Sequence, residues 1–530
     1  MTGPTHQELE LSDLQGGVLS AYGKLGYPIG RYILFHVDKA ANGRKFVEAL
    51  RAHVTTARRW KRAKDKLVEP KNMQQRPACT LNIAFTFWGL AALGVSTRTL
   101  RGMPDEFIDG MAKRARVLGD DIGANCEANW DDVWRTGDEK KRVHILVMLN
   151  AQSDDQGRPL PELDSRTGLV LEAAQSCGVK LLEGHRGPDP RWQDLTAIFM
   201  PHEGKRVPTR FEHFGFADAI GDPVFEGQYP GGEERERCVG QGAVDGRGKW
   251  RPLAPGEFIL GWPDEAQEVA GAAMPLDFSR NGTFFAYRKL HEDVEAWDRW
   301  IATAAAQMGA LWEIANPADA ADLLMAKMAG RWPDGVPLVL APTPAERDAF
   351  NAKYRPGSPE WIAAIVNFTY AVDPRGERCP FGSHLRRANP RDMLDPRGDL
   401  PDTKKHGGSV LNNRRRILRR GLPYGHKDSK EKEHGIVFLA HCASLFRQFE
   451  FVQQQWMNYG LDFEAGNQTC PIIGPHGADA RFVVPSADPG KPPFVAAGLR
   501  QFVSTRGGDY FFTPSMTALR MIGQGTVDPT

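Results

Sequence analysis

The sequence predicts an α+β protein built from two similar halves, each with an antiparallel sheet and packed helices. Three observations lead to this prediction. A chain of 530 residues is longer than one hydrophobic core usually serves. Strand-like and helix-like segments alternate along the first half, and the same alternation returns in the second half. Two long stretches rich in glycine and proline, 185–280 and 371–434, interrupt this order, and long ordered loops often carry function.

Runs of apolar residues predict the strands, and apolar residues three or four apart predict the helices. Over 43–56, for example, Phe46, Leu50 and Val54 fall on one helical face. In the first half the predicted strands are 31–38, 80–87 and 142–149, and the predicted helices are 43–56, 105–117 and 169–177. In the second half the predicted strands are 281–290 and 435–443, and the predicted helices are 291–309 and 444–458. The segment 503–513 is predicted to form a hairpin that turns at Arg506-Gly-Gly-Asp509.

Composition and charge exclude several classes of protein. Apolar residues make up 41% of the chain and charged residues 25%, which is ordinary for a globular protein. A net charge of +1 argues against nucleic acid or an anionic membrane as a partner. No apolar run approaches the roughly 18 residues that a membrane span needs. The first residues show no secretory signal, so we expect a cytoplasmic protein.

The cysteines give no metal or disulfide pattern. There are seven, an odd number, and they are scattered without a Cys-x-x-Cys pair. This arrangement argues against a zinc ribbon, an iron–sulfur cluster or a disulfide framework. Reduced cysteines in the cytoplasm are the simpler interpretation.

One histidine, His384, lies in the segment Cys-Pro-Phe-Gly-Ser-His-Leu-Arg-Arg-Ala-Asn-Pro-Arg at 379–391. A single histidine in a loop is most often structural or on the surface. No His-Glu-x-x-His pattern or cysteine pair suggests zinc. A single imidazole suffices to hold haem iron, because the porphyrin supplies the other four ligands. The adjacent Arg386 and Arg387 are suited to pair with haem propionates.

Asp218 and Arg419 are the other candidate functional residues. Asp218 lies in a loop with Phe214, Phe216 and Ile220, so burial is expected to raise its carboxyl pKa. The sequence leaves two readings of Asp218 open, a structural cap for nearby amides or a proton carrier. Arg419 falls among several basic residues close to a glycine and a proline, a pattern equally typical of an exposed basic turn.

Together these segments resemble the dye-decolorizing peroxidase family. Gly215–Ala219 is similar to the family's distal motif, usually Gly-x-x-Asp-Gly. Residues 379–391 match its proximal segment, Cys-Pro-x-Gly-x-His-x-Arg-Arg-x-Asn-Pro-Arg, and residues 416–425 match its element Arg-Ile-Leu-Arg-Arg-Gly-x-Pro-Tyr-Gly. Further matches in the same order extend the resemblance over about 9–516. The long bacterial and fungal-like forms of the family are the nearest in length and in the sequence of these motifs.

The resemblance implies a duplicated ferredoxin-like fold of the dimeric α+β barrel superfamily, with two antiparallel sheets and packed helices. It divides the chain into an N-terminal half, 1–215, and a C-terminal half, 216–530, which carries most of the haem pocket. The implied cofactor is haem b, iron protoporphyrin IX, with His384 as the proximal iron ligand. Glu450 is implied to hydrogen-bond the other ring nitrogen of His384, which increases the basicity of the imidazole. Arg387 is implied to bind the haem.

On the distal side the resemblance implies two catalytic residues, Asp218 and Arg419, that face the peroxide. Asp218 would move a proton between the peroxide oxygens, and Arg419 would stabilise negative charge as the bond between them breaks. Ile436 and Phe438 are assigned to the apolar wall of the pocket.

The implied activity is that of a haem peroxidase. It would reduce hydrogen peroxide and oxidise dyes, phenols or similar one-electron donors through an oxoferryl intermediate. Large donors would react at the haem edge or at a surface aromatic residue, with Tyr424 and Tyr510 among the candidates. No nucleic acid or membrane partner is expected, and an oligomer is compatible with the sequence. Three alternatives stay open: a haem-binding or iron-handling protein with little turnover, a pathway-specific haem oxidase or oxygenase, and a haem-free structural protein.

The sequence departs from the family motif at one position, where Ala219 replaces the usual glycine. Glycine is typical where the backbone needs a positive φ or must approach a cofactor closely. If the position needs a positive φ, alanine adds strain on the order of 1 kcal/mol. If close approach matters, the methyl group displaces the loop and Asp218 with it. Either effect would slow peroxide activation without preventing haem binding.

Overall fold

The computed structural model describes residues 8–61, 73–135, 137–270, 272–395, 408–429, 432–486 and 488–527. Its main feature is a ten-stranded sheet in which every strand pairing is antiparallel. The strands are β1 (Ile29–His36), β2 (Cys79–Phe85), β3 (Ile145–Ala151), β4 (Lys180–Leu181), β5 (Gln193–Thr196), β6 (Thr283–Glu292), β7 (Leu418–Arg419), β8 (Leu422–Tyr424), β9 (Gly435–Cys442) and β10 (Val503–Thr513). Their order in space is β7-β9-β6-β10-β2-β3-β1-β4, with β5 beside β1 and β8 beside β9.

Two antiparallel sheets, one from each half of the chain, meet edge to edge within this larger sheet. The only residues paired between β10 and β2 are Phe512 and Phe85. Among the residues that the structure describes, four two-stranded sheets lie outside it: Arg59–Trp60 with Met73–Gln74, Phe199–His202 with Lys205–Pro208, Ala243–Val244 with Trp250–Arg251, and Arg481–Val484 with Phe494–Ala497.

Helices pack against the sheet and against one another. They include α1 (Ala40–Arg51), α2 (Glu162–Cys177), α3 (Val294–Trp312), α4 (Pro317–Ala329), α5 (Pro344–Lys353), α6 (Pro359–Val366), α7 (His384–Ala388) and α8 (Met516–Gln524). Asp293 begins α3 by accepting a hydrogen bond from the Ala296 amide, and Gly178 ends α2 in the left-handed conformation. Leu445–Glu450 and Val452–Met457 form wide π-helical turns. Within the described ranges, no helix combines the length and apolar character that crossing a membrane would require.

Two of the predicted elements differ from the structure, and glycines explain both differences. The predicted helix 105–117 is broken into shorter turns, with Gly110 at φ 77° after the first. The predicted hairpin at 503–513 is wrong, because β10 runs through it as one continuous strand. Gly507 allows close packing rather than a turn, since a Cβ atom there would lie 2.1 Å from Cδ1 of Trp134.

The largest apolar core is shared by both halves of the chain. It contains Phe35 and Val147 from the first half together with Phe285 and Phe511 from the second. A second core lies around α3, α4 and α6 and includes Trp297, Leu324 and Ile365. Several residues of this second core, including Trp332 and Val452, line the cavity described below.

Contacts that are distant in sequence tie the first described residues to the last helix. The Gln15 side-chain amide donates to the carbonyl of Pro514 at 3.0 Å and to that of Ile83 at 2.9 Å. Asp13 receives two amides of α8: its backbone carbonyl accepts from Met516 at 2.7 Å, and its carboxylate accepts from Thr517 at 2.8 Å. The start of α8 is therefore capped by a residue some 500 positions earlier.

Buried ion pairs join β6 to the first half of the chain. The Arg288 guanidinium donates to both Asp120 carboxylate oxygens, at 2.9 and 2.7 Å. The Thr505 hydroxyl donates to Asp120 at 2.8 Å, so the buried carboxylate has several partners. The next residue, Lys289, pairs with buried Asp131 at 2.6 Å.

We expect Arg288→Met to lower the free energy of unfolding by about 3–5 kcal/mol, because it leaves the Asp120 carboxylate buried without a counter-charge. Chemical denaturation measures the loss. The double variant Arg288→Met/Asp120→Leu removes both charges and should recover much of the stability. A single variant as stable as the wild type would contradict this account of the pair.

Candidate active site

A cavity of about 330 Å³ opens between α7 on one side and β7, β9 and the loop 212–221 on the other. This loop, which contains Asp218, is called the distal loop below. The cavity wall includes His384 and, from separate parts of the chain, Asp218, Arg419, Ile436 and Phe438. Its size suits a small-molecule or cofactor site, and most of its lining is apolar.

His384 is the first residue of α7 and has one hydrogen-bonding partner. Its Nδ1 lies 3.2 Å from Sγ of Cys470, which is fully buried. In the tautomer that carries its proton on Nδ1, the ring donates to the sulfur and Nε2 keeps a free lone pair. Nε2 makes no hydrogen bond among the described residues, so its lone pair is available to an iron ion in the cavity.

Glu450 does not contact His384, which corrects the hydrogen bond implied by the resemblance. Its buried carboxylate accepts from Nε and Nη2 of Arg114, at 2.9 and 2.6 Å, and from the Tyr510 hydroxyl at 2.8 Å. The bidentate Arg114 contact holds the carboxylate away from the cavity wall. Cys470, and not Glu450 as the resemblance implied, is the hydrogen-bonding partner of His384 Nδ1. Sequence spacing does not reveal that Glu450 pairs with Arg114 instead of His384, because Arg114 and Glu450 are 336 residues apart.

Arg387 also lies outside the cavity wall, which corrects its implied contact with the haem. Its guanidinium is fully buried and donates to the backbone carbonyls of Gly382, Trp456, Tyr459 and Gln468. All of its nitrogens are engaged in holding this part of the fold. The sequence could not distinguish an arginine that binds carbonyls from one that binds a ligand.

Arg331, Arg391 and Arg416 do line the cavity, as do Arg288, which pairs with Asp120, and Arg415. Each of the first three is buried and donates to backbone carbonyls through only part of its guanidinium, and none of them forms an ion pair with a carboxylate in the described part of the chain. Burial lowers the pKa of Arg331 to about 9 and those of Arg391 and Arg416 to about 10. Buried cations without counter-charges favour an anionic ligand, and the two propionates of a haem would provide one. Together with His384, they make the cavity a chemical fit for haem.

Asp218 and Arg419 form an ion pair across the distal side, with Oδ1 2.6 Å from Nη1. Arg419 extends from β7, which is held by its pairing with β9. Burial alone would raise the pKa of Asp218, but the Arg419 guanidinium and the Ala219 amide hold it below its ordinary value. The expectation of a raised pKa is therefore wrong, because the sequence showed the apolar neighbours but not the cation. Asp218 is ionised at neutral pH and can accept a proton.

Ala219 follows Asp218 with a φ of 59°, in the left-handed region that favours glycine. Of the two reasons for glycine considered from the sequence, a positive φ is the one that applies to this backbone. The methyl group therefore adds strain at the residue next to the candidate proton carrier.

Ile436 and Phe438 are two residues apart on β9 and line the cavity from the same face of the strand. Tyr424 and Tyr510 are only 2% and 1% exposed, so neither offers a surface site for oxidising large donors. Burial raises the pKa of both hydroxyls well above the ordinary value.

Two family models match the chain. The model for the DyP dimeric alpha+beta barrel domain matches residues 13–160, and the model for the C-terminal part of Dyp-type peroxidases matches residues 404–486. A dye-decolorizing peroxidase of Exidia glandulosa is 27% identical over 544 aligned positions, covering 97% of this chain and 88% of the relative.

Solved structures agree with the fold. A decolorizing peroxidase from Auricularia auricula-judae superposes with a TM-score of 0.69 at 23% identity, covering 98% of this chain and all of the other. A dye-decolorizing peroxidase in complex with 2,6-dimethoxyphenol gives a TM-score of 0.65 at 23% identity, over 97% of this chain and 100% of that one.

The matching family models and named relatives place this α+β barrel protein in the haem peroxidase class. The chain belongs to the dye-decolorizing peroxidase family. The predicted α+β fold with antiparallel sheets and packed helices is confirmed.

We expect Arg419→Gln to raise the pKa of Asp218, because burial then acts without the opposing guanidinium. A pH titration followed by infrared spectroscopy measures the change, with Asp218→Asn identifying the carboxyl band. The carboxylate should then take up its proton at a higher pH than in the wild type. Arg415→Gln, on the same cavity wall, is the matched control and should leave the midpoint in place.

We expect Ala219→Gly to raise the free energy of unfolding by up to about 1 kcal/mol, because it relieves the strain at φ 59°. Ala217→Gly, in the same loop but without a positive φ, should instead lower it by about 0.5–1 kcal/mol. Denaturation curves for the two variants test the difference in sign. Equal losses in both would show that Ala219 carries no strain.

Proposed function

We propose that this protein reduces hydrogen peroxide with electrons from dyes, phenols or similar aromatic donors, using haem b held by His384. The observation that carries the proposal is the Asp218–Arg419 ion pair, 2.6 Å between nearest atoms, in the wall of the cavity that also holds His384. A carboxylate and a fixed cation opposite an iron-binding imidazole are the groups that peroxide reduction requires.

The residues that would hold the cofactor are His384 and the buried arginines of the cavity wall. Nε2 of His384 would bind the iron while Nδ1 stays hydrogen-bonded to Cys470, which fixes the ring. Arg331, Arg391 and Arg416 would offset the charge of the propionates. Bound haem would supply the redox chemistry that no side chain of the cavity provides.

Asp218 would act as the base and then as the acid of the reaction. Its carboxylate accepts a proton from one oxygen of hydrogen peroxide and returns it to the other oxygen, which leaves as water. The lowered pKa of Asp218 keeps it ready to accept that proton even in mildly acidic solution. Arg419 holds Asp218 in place and stabilises the negative charge that develops on the departing oxygen.

The apolar side chains Phe216, Ile436 and Phe438 narrow the distal side and limit its water. This suits peroxide better than a bulky donor, so large donors would give up electrons at the edge of the cofactor or at the protein surface. The phenol bound to the solved relative supports a phenolic donor here.

The main alternative is a haem-binding protein of the same fold with little turnover. Such a protein needs His384 but has no use for a distal acid–base pair. The close contact of Asp218 and Arg419 therefore favours the peroxidase.

We expect Asp218→Asn to retain the Soret band of bound haem and to lose peroxide turnover by about 10²–10⁴-fold, because the proton acceptor is removed. His384→Gly should lose the normal band, and added imidazole should restore it. Absorption spectra and peroxide-dependent dye oxidation measure both effects.

Asp222→Asn is the matched control, since Asp222 directly follows the distal loop but pairs with Arg420 instead. Its turnover should stay within a few-fold of the wild type. Full activity in Asp218→Asn would overturn the assigned role, and the absence of a Soret band in haem-supplemented wild type would overturn the proposed function.

A further inference from the structure

Two buried carboxyl groups, Glu212 and Glu292, line the same cavity as Asp218 and have no part in the mechanism above. They are hydrogen-bonding neighbours of each other. Neither forms an ion pair with any described residue. Two adjacent carboxyl groups without a counter-cation cannot both be ionised, so the pair holds a proton.

The contacts indicate which member carries the proton. Glu212 accepts backbone amides of the distal loop through both oxygens, from Phe214 at 2.8 Å and from Phe216 at 2.6 Å. Accepting two amides stabilises an ionised carboxylate. Glu292, at the end of β6, has a buried Oε2 to which no N–H group of the described residues donates a hydrogen bond. Glu292 is therefore the protonated member, and it donates to Glu212.

No cation is among the main influences on the pKa of either carboxyl. The pair's neighbour on the distal loop is Asp218, whose negative charge raises the pKa of both carboxyls further. Burial is the larger cause of both raised pKa values. The nearby His213, His291 and His434 are neutral at neutral pH, because burial lowers their pKa values.

Asp293, next along the chain, is occupied in capping α3. The negative charge of Asp218 therefore favours retention of the proton, and the neutral histidines do not oppose it. Because the pKa values are raised, the proton is fully held at acidic pH and is lost as the pH rises through them.

We propose that Glu212 and Glu292 store a proton beside Asp218 and release it into the cavity during peroxide reduction. This inference rests on the proposed function. Converting one hydrogen peroxide and two electrons to two waters consumes two protons, whereas Asp218 only moves a proton from one oxygen to the other. Aromatic donors supply the electrons and release their own protons where they are oxidised. The O–H bond of Glu292 breaks and its proton passes to a peroxide-derived oxygen in the cavity. Solvent then supplies a new proton to the pair.

The pair also connects proton storage to the shape of the distal loop. Glu212 holds the amides of Phe214 and Phe216, and the loop continues directly to Asp218. Glu212 is thus a positioning residue, and Glu292 is the proton donor. The two roles can be separated, because glutamine at 292 still donates a hydrogen bond to Glu212 but cannot release a proton.

The test compares wild type with Glu292→Gln, both loaded with haem. In the resting enzyme, infrared difference spectra across neutral pH should show a protonated carboxyl band that disappears in Glu292→Gln. Glu257→Gln is the control, since burial also raises the pKa of that carboxyl but it lies outside the cavity wall. Its substitution should leave the band of Glu292 in place.

Turnover supplies the second readout. Wild-type peroxide reduction should fall as the pH rises and the stored proton is lost. Glu292→Gln should be slower by about tenfold or more at low pH and should lack that pH-dependent step. A variant with the rate and pH profile of the wild type would show that the pair is only structural.

The infrared result separates failure of this inference from failure of the proposed function. A wild type that consumes peroxide but lacks the carboxyl band overturns the stored proton alone. A wild type that shows the band but consumes no peroxide overturns both the peroxidase and the release of the proton to it.

Discussion

The position of strand β6 between β9 and β10 is the constraint on which the site depends. Its register with β9 places Arg288 opposite Phe438 and Leu290 opposite Ile436, so one strand fixes the apolar wall of the cavity. Two side chains of the same strand, Arg288 and Lys289, also form ion pairs with buried carboxylates of the first half of the chain. A shift in the register of β6 would therefore disturb the two halves and the cavity together.

Positively charged and acidic side chains occupy different parts of the cavity wall, so the two parts are suited to different chemical tasks. One part of its wall carries buried guanidinium groups without carboxylate partners, including Arg331 and Arg391, which suits an anionic cofactor. Another part carries the carboxyls of Glu212 and Glu292 without a cation. Asp218 lies near the carboxyl pair and is kept ionised by Arg419. Each group is costly to bury alone, and together they prepare the cavity for charge and proton transfer.

Local sequence patterns predicted the strands and the motif residues, but not the contacts between distant segments. The apolar runs became β1, β3 and β9 because such runs are stable only when buried. The glycines at 507 and 508 misled the prediction, because a turn and a close approach, here to Trp134 and to the Tyr287 backbone, require the same residue. The expected contacts of Glu450 and Arg387 and the expected pKa of Asp218 were wrong, and the reason is the same in each case. Their partners, such as Arg114 and Arg419, come from remote parts of the chain. The division at 215 remains a prediction, although the larger core crosses it.

The bond between Gln15 and Pro514 bears on how the protein is made. It spans 499 positions, and Asp13 caps helix α8, which begins just after Pro514. A ribosome must deliver nearly all of the sequence before the first segment can reach its final place. Sheets whose contacts lie so far apart in sequence form slowly and expose unpaired edges while they wait. We therefore expect the chain to need protection by chaperones during synthesis, because its beginning and its end meet last.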